Sequence, residues 1–81
     1  MAESTHKLSF KVSARRQDAH GSEAFCKSAS IILDTDLAGR VDAFNPAELL
    51  MASLAACMIK GIERVTPILK FRLTGVEVRL H

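Results

Sequence analysis

The 81-residue chain contains no Trp, no Tyr and only four Phe. With 48% apolar residues and so few rings, its core must be aliphatic and rich in small side chains. The stacking platforms that single-stranded nucleic acids use are therefore missing. Charge of one sign is also scarce. Eleven basic residues against nine acidic ones leave a net charge of +2, and they are scattered without the stripe that phosphate recognition needs, so a nucleic-acid partner is not expected. The two cysteines lack metal-ligand spacing and any disulfide-dense pattern, which fits a reducing, cytoplasmic compartment without a structural metal. Long hydrophobic runs are absent too. The longest, Leu49–Ile59, is interrupted only by Ser53 and is too short to span a bilayer. The start, Met1-Ala-Glu-Ser-Thr-His-Lys7, leads into alternation and does not read as a signal peptide. No repeat, low-complexity tract or long linker is visible, so residues 1–81 read as one domain. A domain this small buries only about 60% of its unfolded surface, and self-association is the simplest remedy.

What is present is concentrated between Asn45 and Cys57. Asn45 suits an N-cap, Pro46 the first helical position, and Glu48 the reciprocal position of a capping box. The apolar residues that follow lie on all faces, which predicts a helix enclosed by sheet, by a partner chain or by both. Gly61 weakens its interior and Pro67 disfavours helix at Thr66, so the helix is expected to end near Val65, after about twenty residues or roughly 30 Å. Upstream, Leu8, Phe10 and Val12 alternate with Lys7, Ser9, Lys11 and Ser13 as a half-buried strand would. Arg15–Ser22 reads as turn material. Ala24–Leu33 reads as a second extended run, joined to the first by a hairpin, and Asp34–Phe44 as a polar loop. After the helix, Phe71 and Leu73 alternate in one phase and Val76, Val78 and Leu80 in the other, a strand with a kink at Gly75. The expected architecture is α+β in the order β-β-α-β, with antiparallel strands packed on a long buried central helix.

Cys57 sits about 18 Å along that helix, where a thiol is either small core filler or a nucleophile. A cysteine that attacks peroxide must be a thiolate, and apolar surroundings disfavour the thiolate unless a cation compensates. The available cations are Arg15 and Arg16, Arg40 in the loop before the helix, and Arg64. Arg64 follows by seven residues, about 10 Å along the axis, and reaches back poorly; Arg15, Arg16 and Arg40 are better placed topologically, and of these Arg40 is slightly favoured. Glu48 precedes Cys57 by about 13 Å of rise and half a turn, so within one chain it acts through an arginine or across a dimer interface, if it does more than cap. Cys26 reads as inert. His6, His20 and His81 have no partner at ligand spacing, so no metal or other cofactor is expected. Met51 and Met58 read as adaptable packing.

The Asn-Pro start, the Glu three residues after the Asn, the small apolar run and the closing Ala55-Ala56-Cys57 resemble the OsmC/Ohr family, the osmotically inducible protein C and organic hydroperoxide resistance proteins. Leu73–Leu80 resembles the strand that follows this helix there. The resemblance implies an intertwined α+β homodimer of stress-response proteins that act as thiol-dependent peroxidases on organic hydroperoxides, with an external thiol as reductant. It makes Cys57 the reactive thiol. It also implies a fold continuing for about half a chain beyond residue 81, so that this sequence matches the N-terminal half. Two positions depart from the pattern. Ala47 stands where the family usually carries an acidic residue paired with an arginine, Glu48 being one place late, and Cys26 does not match the family's resolving cysteine. The sequence therefore supports two readings: a peroxidase using Cys57 with Arg40 and Glu48, or a non-catalytic dimeric OsmC-like module that is structural or binds a small apolar ligand.

Overall fold

A computed structural model describes residues 8–70 and 72–81. Chain packing divides the molecule into two compact units, Met1–Ala43 and Phe44–His81. The first holds a three-stranded antiparallel sheet and the second a single helix, so the chain is α+β. The order is β-β-β-α: β1 Ser13–Asp18, β2 Gly21–Cys26, β3 Ala29–Leu33 and α1 Pro46–Val65.

The sheet corrects the strand expectations in two ways. β1 runs through Arg15 and Arg16, which had read as turn, and the connection shrinks to Ala19-His20. Leu8, Phe10 and Val12 lie outside the sheet and are 84%, 81% and 69% exposed, while Lys7 of the same alternation falls outside the described residues. Register explains the shift. Ser13 pairs with Phe25, one residue from the end of β2, so residues before Val12 run past the strand that would have to accept their hydrogen bonds. The run Ala24–Leu33 is likewise two strands, because the chain reverses at Lys27-Ser28 with Lys27 at φ 56°. Two-residue hairpin turns demand such positive φ values and usually advertise them with Gly, Asn or Asp, none of which is present here.

Directly opposed residues share a face. Ala14, Ala24 and Ile31 line one side with Ser22, Leu33, Cys26 and Ala29. Ser13, Arg15, Glu23, Phe25, Ser30 and Ile32 line the other, where the Arg15 guanidinium lies 5.7 Å from the Phe25 ring centre in a cation–π contact. A register shift between Arg16 and Asp18 bends β1 into the turn.

α1 begins and ends where its residues predict. The Glu48 N–H donates to Asn45 Oδ1 at 2.8 Å and the Asn45 N–H to Glu48 Oε1 at 3.0 Å, completing the capping box. At the far end the Thr66 N–H and hydroxyl both donate to the Ile62 carbonyl, at 3.0 and 2.6 Å. A turn over residues 66–70 follows, closing on Lys70 at φ 61°. Within the single chain no residue of α1 is buried. Met51, Ala52, Ala55 and Ile59 are half-buried, whereas Leu50, Leu54, Met58, Ile62 and Val65, recurring every three or four residues, form an exposed apolar stripe. The closing strand is corrected as well. Phe71 lies outside the described residues, and 72–81 joins no ladder. Alternation alone supplies a face but no partner for the backbone.

Replacing Asn45 with Ala is expected to lower stability by about 1 kcal/mol through loss of the cap. Equilibrium denaturation by urea measures it, and an unchanged midpoint would mean that the capping box does not hold the start of α1.

Candidate functional site

Cys57 is carried by the fourth turn of α1, and its position there follows from the cap. With the first helical residue fixed at Pro46, each later residue has a defined phase at about 100° per step. Cys57 therefore flanks the exposed stripe, one turn from Leu54 and beside Met58, and it is itself an exposed free thiol. Ile59, two residues on, faces the other way. There it lines a hollow of about 290 Å³ with Glu63, Leu73, Thr74, Gly75 and Val76. Cys26, also free, is half-buried in β2 opposite Ala29.

Glu48 is occupied by the capping box, its Oε1 accepting the Asn45 N–H. It is on the first turn, half a turn out of phase with Cys57, so α1 does not bring the two together.

Arg40 belongs to the first unit and is held there by a well-organised loop. Asp34, only 5% exposed, anchors the loop by accepting the N–H of Asp36 on Oδ1 and of Arg40 on Oδ2, both at 3.0 Å. Asp36 repeats the device on the Ala38 N–H at 2.8 Å, and the Gly39 N–H returns to the Asp36 carbonyl at 3.0 Å, with Gly39 at φ 86°. These turns present the Arg40 guanidinium to Asp42 as a two-pronged pair, Nε to Oδ1 at 2.7 Å and Nη2 to Oδ2 at 2.8 Å. The third nitrogen, Nη1, donates to the His20 carbonyl at 3.2 Å. The Asp42 hydrogen bonds push the Arg40 value further up and, reciprocally, hold the Asp42 carboxyl below its ordinary value. Gly21 lies beneath this side chain, and a Cβ there would make the Nη1 end of the guanidinium shift.

His20 and the loop aspartates are the residues that sequence reasoning missed. His20 Nδ1 donates to Asp36 Oδ2 at 2.7 Å, its backbone N–H donates to Asp18 Oδ1 at 2.8 Å, and Ser22 and Thr35 share a hydroxyl hydrogen bond at 2.8 Å. Together these tie the β1–β2 turn to the loop after β3. A signal existed in Asp34-Thr-Asp36, because each Asp stands two residues before an N–H it can accept. Nothing in the sequence marked the pairing of His20 with a residue sixteen positions away. The arrangement binds polypeptide to itself. Among the described residues no group of three or more His, Cys, Asp or Glu is placed to hold a metal ion, and no helix is long and apolar enough to cross a membrane.

The hydrogen bond from His20, followed by that from the Ala38 N–H, lowers the Asp36 carboxyl below its ordinary value. A carboxyl lowered on folding contributes stability that is present above the unfolded value of about 3.9 and is lost as pH falls through the lower folded value. Carboxyl carbon NMR titration should therefore place Asp36 below the ordinary aspartate midpoint, and His20→Ala should move it back up. A midpoint unaffected by that substitution would contradict the pairing.

Comparison with protein families, with characterised proteins and with solved structures finds no match to this chain.

Proposed function

We propose that the chain is an OsmC-like protein that reduces organic hydroperoxides through Cys57. One observation carries the reading: a capping box starts the helix at Asn45-Pro46, and twelve residues later the same helix presents an exposed thiol beside an apolar stripe. An apolar peroxide suits such surroundings. In the reaction the Cys57 thiolate attacks the terminal peroxide oxygen and the O–O bond breaks. The alkoxide leaves and takes a proton to become the alcohol, and Cys57 remains as a sulfenic acid. An external thiol then condenses with the sulfenic acid, releasing water, and a second thiol reduces the mixed disulfide to restore Cys57. Cys26 has no part in this cycle.

The partner is a second copy of the chain. The stripe Leu50, Leu54, Met58, Ile62 and Val65 exposes large apolar side chains in a row, and a two-fold homodimer covers it at least cost. The setting is a reducing cytoplasm, which supplies the external thiol.

A second reading is favoured by Arg40. Its guanidinium is already engaged by both oxygens of Asp42 and by the His20 carbonyl, and Ala47 offers no carboxylate to redirect it. A chain whose arginine serves its own loop fits a non-catalytic OsmC-like module, structural or binding a small apolar ligand.

Hydroperoxide consumption with a thiol reductant separates the two. Under the peroxidase reading Cys57→Ser abolishes turnover and Cys26→Ser leaves the first turnover intact; equal consumption by wild type and Cys57→Ser removes it. Sedimentation tests the partner independently, with a dimer expected at micromolar concentration and a folded monomer as the contrary result.

A further inference from the structure

We draw no further inference here: the strongest candidate, the exposed apolar stripe of Leu50, Leu54, Met58, Ile62 and Val65 along α1, is an unpartnered helix face, and nothing in the structure shows what covers it beyond the second copy already proposed.

Discussion

The reciprocal hydrogen bonds between Asn45 and Glu48 are the interaction on which the candidate site depends. Each satisfies a backbone N–H that a helix start would otherwise leave unpaired, and together they define the first residue of α1. Once that residue is Pro46, helical geometry decides the rest. Cys57 lies at the flank of the exposed stripe, Ile59 on the opposite side against residues 73–76, and Glu48 too far from the thiol to touch it. A start displaced by one residue would leave the side chains in the same order but deprive the helix of its cap. The motif is therefore a structural device first. Any chemistry at Cys57 uses a position that the cap makes reproducible.

The first unit is organised by a different economy. Asp34 accepts two backbone N–H groups, and Asp36 accepts one more together with the His20 ring. Carboxylates used this way satisfy loop backbone that no strand or helix reaches. The result is a loop that holds Arg40 in a defined geometry although the loop has no regular structure of its own. The Arg40–Asp42 pair is partly exposed, with the arginine side chain 28% and the aspartate 64% accessible. In such a setting it contributes orientation more than stability.

The helix was legible because its signals are local. Asn45, Pro46 and Glu48 act within one turn, and Pro67 with Thr66 marks the end, so both boundaries follow from neighbours in sequence. The sheet was less legible because a strand is defined by its partner. Leu8–Val12 has the stronger alternation, yet β1 forms over Ser13–Asp18, where β2 lies opposite. The reversal at Lys27 carries none of the usual turn residues, and so a hairpin looked like one long strand. Of the candidate residues, Glu48 could be read directly in its capping role. Arg40 was identified as a loop cation, but its engagement by Asp42 and by the His20 carbonyl depends on contacts that only the folded chain creates. Apolar residues on every face of α1 announced a need for cover, and no residue of α1 is buried in the single chain.

The most direct test is to treat the protein with an organic hydroperoxide, trap sulfenic acid with a dimedone-type nucleophile and locate the adduct by mass spectrometry. An adduct on Cys57, with Cys26 unlabelled, is the predicted result. Absence of label at Cys57, or labelling confined to Cys26, would contradict the assignment of the helix thiol as the peroxide-attacking group.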